Sequence, residues 1–440
     1  MFVRVIPAGA GMTTEFAGAC MYHKTKSKNG LNIVTRAMPD RKSVALGIWI
    51  KTGGRYESPK NSGISHFLEH LLFKGSKKYS CRKIKESIEG VGGALNGFTS
   101  EEVTCYLVKI PAQYLGRGAD ILSDMVINPL FPQEEIEKER FVILEELKMY
   151  KDLPQSYVHE LLDGLLWPGQ PLGMSIIGEE KTVRNFSRED FSAYKKRQYT
   201  PANIIVSAAG HLEHAEFAAL IEEKFSSLGR SGRNACIPAK EFQESPRVNL
   251  FHKETEQTHL ALGFHGLKRT HPLKYAQDLL SVMLGANMSS RLFNEVREKR
   301  GLAYEIGTQV KCLSDTGAFI VHAGMDNKKV EETIRVIRKE LRKITEKPVG
   351  AGEFRRAKDF FTGQLTLAME DTMDTMLLLG ESECLLGKTV SPEEIVSMVK
   401  KFTPEDIRGV ARDIFRKDKI NLALIGPLKG KEEHIKKLLE

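Results

Sequence analysis

The stretch Asn203-Ile-Ile-Val-Ser-Ala-Ala-Gly-His-Leu212 has a counterpart near the end of the chain in Lys419-Ile-Asn-Leu-Ala-Leu-Ile-Gly-Pro-Leu428. Each is an apolar run that ends at Gly, which predicts a buried strand followed by a turn. The two glycines lie 216 residues apart, as do the helix starts Ser187-Arg-Glu-Asp-Phe191 and Thr403-Pro-Glu-Asp-Ile407 that precede them. A third pair at this offset is Leu46-Gly47 and Leu262-Gly263, each inside a short apolar strand. Three matches at one offset indicate a duplicated chain.

The duplication predicts two similar domains joined by a linker. We expect an N-terminal domain at 21–228 and a homologous C-terminal domain at 247–440. The linker at 229–246 begins with Gly and basic residues, which favour irregular structure. Residues 1–20 are expected to form a disordered extension, without the apolar core of a signal peptide.

Each predicted domain contains strands grouped beside helices. In the first half, strands are predicted near 31–38, 43–52, 93–98, 102–110 and 202–209. Helices are predicted near 62–74, 80–90, 111–127, 132–152, 155–166, 187–198 and 213–226. The second half repeats the pattern and adds two long helices near 327–346 and 350–386. This grouping indicates an α+β fold of two duplicated α/β-sandwich domains, each a mainly antiparallel sheet covered by helices.

Composition excludes several classes of protein. The 440 residues are 41% hydrophobic and 28% charged, which is typical of a globular chain, and no apolar run is long enough for a membrane helix. The net charge of +8 is spread over interspersed charges of both signs, without a basic stripe interleaved with aromatics, so nucleic-acid binding is not expected. Six scattered cysteines without a CxxC pair argue against a disulfide scaffold and for reduced thiols.

The segment His66-Phe-Leu-Glu69-His70 carries the most specific chemistry in the chain. It lies in an apolar run at helical spacing, so His66 and His70, at i and i+4, leave the same helix face and can bind one metal ion. Glu69 shares that face and can act on a metal-bound water. The pattern is HxxEH, the inverted form of a zinc-protease motif. Two core histidines of a buried helix are the alternative, but three polar groups on one apolar face are costly to bury without a metal or partners.

A third ligand is expected on the charged helix that contains Glu139, Glu145 and Glu146. The apolar stripe of this helix runs through Ile136, Ile143, Leu147 and Tyr150. Glu139 and Glu146 flank the stripe, whereas Glu145 groups with lysines on a solvated face. Helix geometry therefore favours Glu146 as the ligand and Glu139 as its neighbour, although an ordinary Glu-rich surface helix remains the alternative.

The chain resembles the pitrilysin/insulinase family of inverted-motif zinc peptidases over roughly residues 21–440. It is most similar to the short branch that includes the β subunit of mitochondrial processing peptidase and bacterial processing proteases. The resemblance rests on Gly63-Ile-Ser-His-Phe-Leu-Glu-His-Leu-Leu-Phe-Lys-Gly75, Gly92-Gly-Ala-Leu-Asn-Gly-Phe-Thr-Ser100, Glu139-Arg-Phe-Val-Ile-Leu-Glu-Glu146 and the segment from Ser289 to Tyr304.

The resemblance implies roles for individual residues. It assigns one zinc ion per chain to His66, His70 and Glu146, and catalytic roles to Glu69, Glu139, Arg297 and Tyr304. It also implies that a peptide substrate adds itself as a strand beside Leu95, Asn96, Gly97 and Phe98. The family commonly has Asn-Ala where this chain has Asn96-Gly97, which makes the strand contact at that position less defined.

The expected function is zinc-dependent endoproteolysis of unfolded peptides or presequence-like segments. The resemblance implies a homodimer, or a heterodimer with a related subunit, in which Arg297 and Tyr304 serve the zinc of the partner. Two alternatives remain: a catalytic subunit that is inert without a separate partner subunit, and a non-catalytic assembly subunit. The expected location is the cytoplasm of a bacterial-type cell rather than the mitochondrial matrix.

Overall fold

The protein is an α+β chain with two mixed sheets. The computed structural model describes residues 12–13, 22–229, 232 and 235–439. Its strands are β1 (Met12–Thr13), β2 (His23–Lys26), β3 (Asn32–Ala37), β4 (Ser43–Ile50), β5 (Ala94–Thr99), β6 (Thr104–Pro111), β7 (Ile204–Gly210), β8 (Arg247–His252), β9 (Gln257–His265), β10 (Ala303–Cys312), β11 (Gly317–Asp326) and β12 (Asn421–Gly426).

Helices account for most of the remaining described residues. They are α1 (Ile64–Leu72), α2 (Cys81–Glu89), α3 (Leu115–Ile127), α4 (Gln133–Asp152), α5 (Pro154–Leu166), α6 (Glu180–Asn185), α7 (Arg188–Gln198), α8 (His214–Phe225), α9 (Lys274–Leu284), α10 (Val330–Glu346), α11 (Ala351–Ala368), α12 (Thr372–Leu386), α13 (Pro392–Lys401), α14 (Pro404–Ile414) and α15 (Glu432–Lys437).

The two sheets share one topology, which confirms the predicted duplication. The first has the order β1-β2-β3-β7-β4-β6-β5 and the second β10-β11-β9-β12-β8. In each sheet a single parallel pair, β3 with β7 or β8 with β12, lies among antiparallel pairs. Reading the second sheet backwards gives β8-β12-β9-β11-β10, the equivalent of β3-β7-β4-β6-β5. The prediction of mainly antiparallel sheets covered by helices is therefore confirmed.

The chain forms two compact units, each assembled from several segments. The first unit comprises the described residues up to Ile143 together with 176–236 and 366–394, and the second comprises 144–175, 237–365 and 395 onward. These units differ from the contiguous domains expected at 21–228 and 247–440. Helix α5 of the first half belongs to the second unit, and α12 of the second half belongs to the first. The division passes through α4, which is one unbroken helix.

Helices α5 and α12 are equivalent elements of the repeat, since their first residues lie 218 positions apart, close to the repeat offset of 216 residues. In the first unit, Met376 and Leu379 of α12 pack against the face of the sheet that carries Trp49. The indole of Trp49 donates a hydrogen bond to Ser207 Oγ at 2.8 Å, which satisfies the one polar atom of that ring in the core. In the second unit, α5 packs Val158, Leu162 and Leu166 against the sheet in the same way.

Local differences from the predicted elements have local causes. The single helix expected at 350–386 is two helices, because Asp371 caps α12 by accepting a hydrogen bond from the Met373 N–H at 2.6 Å. Strand β2 and the short helix α6 were not predicted. Most of the extension expected at 1–20 lies outside the described residues, but Met12–Thr13 pair with β2 in place of the expected disorder. No helix among the described residues is long and apolar enough to span a membrane.

Candidate metal centre

The start of α1 is held by the buried carboxylate of Glu57. It accepts hydrogen bonds from the backbone N–H groups of Gly63 at 2.7 Å and Ser65 at 2.8 Å, which are unpaired donors at a helix N-terminus. Gly63 has φ 91°, and a Cβ at this position would lie 2.4 Å from the carbonyl oxygen of Ile177, so only Gly fits. Burial raises the pKa of Glu57 to about 7, although both N–H donors oppose the shift. These contacts set where α1 begins and therefore which face carries its histidines.

Three side chains that could bind one metal ion converge on this face. One ligand atom each from His66, His70 and Glu146 lies within 4.8 Å of the others. The two imidazole rings are 4.7 Å apart between centroids. Burial, with the nearby His70 as a second cause, lowers the pKa of His66 to about 3, so this ring is neutral at physiological pH, the form that binds metals. Among the described residues this is the one group of three or more potential ligands close enough to share an ion.

Glu139 lies behind the ring of His70. Its Oε2 is 3.0 Å from His70 Nδ1, and its Oε1 forms an ion pair with Lys74. Burial alone would raise the pKa of Glu139, but the hydrogen bonds from His70 and Lys74 outweigh burial and lower it. An Nδ1–H that donates to this carboxylate leaves the lone pair of the ring on Nε2, the arrangement usual for a metal-binding histidine.

Glu69 is buried and held by a neighbouring strand. Its Oε2 accepts a hydrogen bond from the hydroxyl of Thr99 at 2.7 Å, and its side chain is 8% exposed. A Cβ on Gly97 would lie 3.1 Å from the ring of Phe73 and 3.2 Å from Glu69 Oε1. Gly97 therefore gives the carboxylate of Glu69 room that an Ala would narrow by a few tenths of an ångström.

Strand β5, which contains Leu95, Asn96, Gly97 and Phe98, is the outermost strand of the first sheet. Among the described residues it pairs with β6 alone, so its other edge is free of a neighbouring strand. The backbone N–H of Gly97 donates to Asn96 Oδ1 at 2.8 Å. Gly97 and Thr99 face Glu69, whereas Phe98 points to the opposite face and stacks edge-on against Trp49 at 5.7 Å. The open edge thus lies directly beside the helix with the histidines.

Arg297 and Tyr304 lie together in the second unit. The Arg297 guanidinium is 5.0 Å from the centroid of the Tyr304 ring and 4.8 Å from that of Phe293. A shift of strand register at the start of β10 leaves the Tyr304 side chain 75% exposed. Stacking between two aromatic rings orders the guanidinium while its N–H donors stay accessible at the edges.

The contacts that Lys74 and Thr99 make with site residues were not predicted, and the predicted apolar stripe of α4 was wrong at one position. Lys74 is four residues after His70, so i+4 spacing could have indicated it. Thr99 lies two residues after Gly97 and therefore on the same face of the strand. This spacing indicates a contact with Glu69 only if it is known which face of the strand meets α1. The apolar stripe of α4 ends at Leu147, because Tyr150 is 38% exposed. Glu145 pairs with Lys148 at 2.7 Å on an exposed face.

Family models match both halves of the chain. The model of the insulinase family, peptidase family M16, matches residues 32–180, and the model described as the peptidase M16 inactive domain matches residues 185–361. The HxxEH segment lies within the first match. The second half contains no HxxEH, which agrees with the name of its model.

Relatives of similar length carry the name of zinc proteases. The uncharacterized zinc protease YmxG of Bacillus subtilis is 36% identical over 92% of this chain and 98% of its own length. An uncharacterized zinc protease of Streptomyces coelicolor is 35% identical over 93% of this chain and 90% of its own.

Solved structures with lower identity share the fold. A protease from Helicobacter pylori superposes with a TM-score of 0.87 at 22% identity, over 92% of this chain and 99% of that one. A Pseudomonas fluorescens structure described as a peptidase M16 inactive domain has a TM-score of 0.86 at 17% identity, over 92% and 98% of the two chains. With family models matching both halves and relatives more than one-third identical along nearly their whole length, the chain belongs to the insulinase family, peptidase family M16.

Proposed function

We propose that this chain is a zinc-dependent metalloendopeptidase that hydrolyses peptide bonds in unfolded peptides or presequence-like segments. The observation that carries the proposal is the convergence of His66, His70 and Glu146 within 4.8 Å, beside the buried carboxylate of Glu69. The names of the relatives, zinc proteases, support the same class of reaction.

The three converging side chains fit zinc by their chemistry. Two imidazoles and one carboxylate form the ligand set of a known class of catalytic zinc sites, with a fourth position left for water or substrate. When bound, zinc supplies a Lewis acid that polarises the scissile carbonyl and lowers the pKa of water. His66 would enter the site without losing a proton, because it is neutral already.

Glu69 is the proposed general base and acid. Its carboxylate would take the proton of the attacking water and then deliver it to the nitrogen of the leaving amine. The hydrogen bond from Thr99 holds one carboxylate oxygen, so the other oxygen is the one presented to the proton. Glu139 would keep the His70 ring oriented, since it binds the nitrogen on the far side of that ring.

We propose that the open edge of β5 binds the substrate. An extended peptide can pair with the backbone of Leu95 to Phe98 as an added strand, which demands little of its side chains. A folded protein rarely offers a free extended segment, so this mode of binding selects unfolded chains. The position of Gly97 against Glu69 Oε1 would bring the bound strand next to the proposed base.

We further propose that two chains form a dimer in which Arg297 and Tyr304 of the partner subunit contact the substrate. The Tyr304 hydroxyl would donate a hydrogen bond to the developing oxyanion, and Arg297 would hold the substrate backbone. The exposure of Tyr304 and the stacking that orders Arg297 support a role in contacting another molecule.

Glu69→Gln tests the assigned base. The variant keeps the shape of the side chain and an oxygen that can accept from Thr99, so zinc content should stay at one per chain. Cleavage of a fluorogenic peptide should fall by a factor of about 10² to 10⁴. Glu145→Gln, at an exposed position of α4, is the control and should cleave normally. A Glu69→Gln chain that cleaves at the parent rate would show that another group is the base.

Mixing variants tests the shared site. Glu69→Gln chains mixed with Tyr304→Phe chains should regain activity, because some mixed dimers contain one intact combination of Glu69 and the partner's Tyr304. Mixed dimers that form, as shown by native mass spectrometry, without any recovery of cleavage would argue against residues acting across the interface.

The two alternatives give different results in the same assays. A subunit that needs a separate partner would bind zinc but fail to cleave as a purified chain, and would gain activity when a related chain is added. A non-catalytic assembly subunit would fail under both conditions. The presence of all three ligands and of Glu69 favours a catalytic chain.

A further inference from the structure

A cavity in the first unit lies away from the residues of the metal centre. It has a volume of about 570 Å³ and is formed between α7 and the loop that precedes α4. Its lining includes apolar residues of that loop, three cations and a threonine, among them Leu130, Phe131, Arg188, Lys195, Lys196 and Thr200. We call this cavity the α7 pocket. It contains no residue of the proposed zinc site or of β5.

The charged residues known to line the α7 pocket are cations. Among the residues that the structure describes, the lining includes Arg188, Lys195 and Lys196 but no Asp or Glu. Within the described part of the chain, none of the three has a carboxylate at ion-pair distance. The Lys195 ammonium donates to the backbone carbonyl of Ile127 at 2.5 Å, and burial lowers its pKa to about 8. A cation that is partly buried without a counter-charge gains stability when an anion enters beside it.

Thr200 adds a hydrogen-bonding group that the protein itself does not use. Its side chain is 9% exposed, and its Oγ1 is buried without a hydrogen-bond partner among the described residues. Its backbone N–H is satisfied by the carbonyl of Gln198 at 3.0 Å, so only the hydroxyl lacks a partner. Buried hydroxyls in native structures are nearly always paired. Thr200 lines the α7 pocket, and its Oγ1, although covered by its surroundings, is left for an entering ligand or water to pair.

The loop residues that line the α7 pocket are apolar, and one of them has a strained backbone; the carbonyl of Leu130 in this loop accepts a hydrogen bond from the Arg188 guanidinium at 3.1 Å. Phe131 has φ 49°, the one positive φ of a non-glycine residue among the described residues. This conformation is costly for a bulky side chain and persists only where the surrounding structure enforces it. Leu130, beside it, is 47% exposed, although it is apolar. The ring of Tyr199 also lines the pocket, and its hydroxyl is bound to Tyr106 and so points away from a ligand.

We propose that the α7 pocket binds the carboxylate end of an apolar chain, with the cations and the Thr200 hydroxyl on the carboxylate and Leu130, Phe131 and Tyr199 on the apolar body. Two sources share this chemistry: the C-terminus of a peptide with an apolar last residue, and a free alkyl carboxylate. The volume admits one or two residues of a peptide or a medium-length alkyl chain. The proposal does not depend on the proposed peptidase activity.

Direct binding to the intact chain tests the proposal. The probes are N-acetylphenylalanine and octanoate, each compared with its own uncharged amide by isothermal titration calorimetry. Neither acid contains a peptide bond between two amino-acid residues, which is the bond that an endopeptidase cleaves. We expect each acid that binds to bind at least tenfold more tightly than its amide, and the tighter acid identifies the source. Equal binding of acids and amides, or no binding of either acid at millimolar concentration, would overturn the proposal.

Variants separate a ligand role from a structural one. Thr200→Val removes the unpaired hydroxyl while keeping the shape, so the unfolding midpoint should stay equal or rise while binding of the acid weakens at least threefold. Lys196→Gln, at an exposed position, should weaken binding of the acid but not of the amide. Lys85→Gln on α2, also exposed, is the matched control and should bind as the parent does. If Thr200→Val and Lys196→Gln both bind the acid like the parent, the pocket is not its site.

Discussion

Replacing Glu139 by Gln should weaken zinc binding, although Glu139 is not one of the three proposed ligands. The carboxylate accepts from His70 Nδ1 at 3.0 Å through one oxygen and pairs with Lys74 through the other. A Gln amide has one accepting oxygen, so it can serve His70 or Lys74 but not both. Its NH₂ group would then face another donor, and the negative charge that makes the imidazole a better ligand is lost.

The size of the effect follows from these two contacts. A hydrogen bond to a charged group contributes about 1.5–3 kcal/mol. Loss of a carboxylate that is hydrogen-bonded to the other ring nitrogen of a metal-binding His typically lowers metal affinity 10- to 100-fold, which corresponds to about 1.4–2.7 kcal/mol. The energy of the hydrogen bond and the loss of metal-binding free energy fall in overlapping ranges, so we expect the dissociation constant for zinc to rise by roughly 30-fold. The metal-free chain should lose about 1–2 kcal/mol of stability, because the Lys74 side chain, 20% exposed, loses its partner.

The assay is competition between the metal-free chain and a zinc-chelating dye, followed by urea unfolding of the same samples. Glu145→Gln is the control, because it removes an exposed carboxylate of the same helix that pairs with Lys148. Exposed pairs contribute little, so both quantities should stay near the parent values. A Glu139→Gln chain that is less stable but binds zinc as tightly as the parent would refute the positioning role of Glu139.

Two further predictions concern stability. Gly380→Ala in α12 should destabilise the chain by about 3 kcal/mol in urea unfolding, because the new Cβ would lie 2.0 Å from the indole nitrogen of Trp49. Gly363→Ala in α11, with open space around it, should instead stabilise the chain by up to about 1 kcal/mol. An equal loss of stability in both variants would contradict the packing argument. Burial lowers the pKa of His214 to about 4, and its ring nitrogens lie 2.8 Å from the hydroxyls of Thr25 and Thr35. As pH falls from about 6.5 to 4, the unfolded chain takes up a proton that the folded chain refuses, so stability should fall by on the order of 1–2 kcal/mol. His214→Gln should flatten that part of the stability profile measured by unfolding at several pH values, and an unchanged slope would show that other groups cause it.

The strands and the paired histidines could be predicted because their signals are local. The apolar run before Gly210 and its copy before Gly426 specify buried strands, and both are fully buried central strands. The i, i+4 spacing places His66 and His70 on one face once the segment is helical, whatever surrounds it. The break between α11 and α12 was missed although Asp371 is a good N-cap, because the helical pattern continues on both sides of it.

The partners of the site depend on contacts between segments far apart in the chain. Glu146 lies 76 residues after His70, and helix periodicity selects the side of α4 that it occupies but not what that side meets. Thr99 and Gly97 reach Glu69 because β5 is placed beside α1 at the edge of the sheet. Periodicity repeats only within one element, so it carries no information about which elements become neighbours.

The amino-acid sequence by itself determined that the chain contains a duplicated unit, that each half contains the strands of one sheet, and that two imidazoles and a glutamate share one helix face. Which sheet receives α5 and which receives α12 was decided only in the tertiary structure. The two helices are equivalent copies, and each presents apolar residues to a sheet, so apolar patterning by itself does not assign either helix to either sheet. Local preference is therefore the same for both arrangements, and the choice depends on packing specific to each partner, such as the close approach of Gly380 to Trp49.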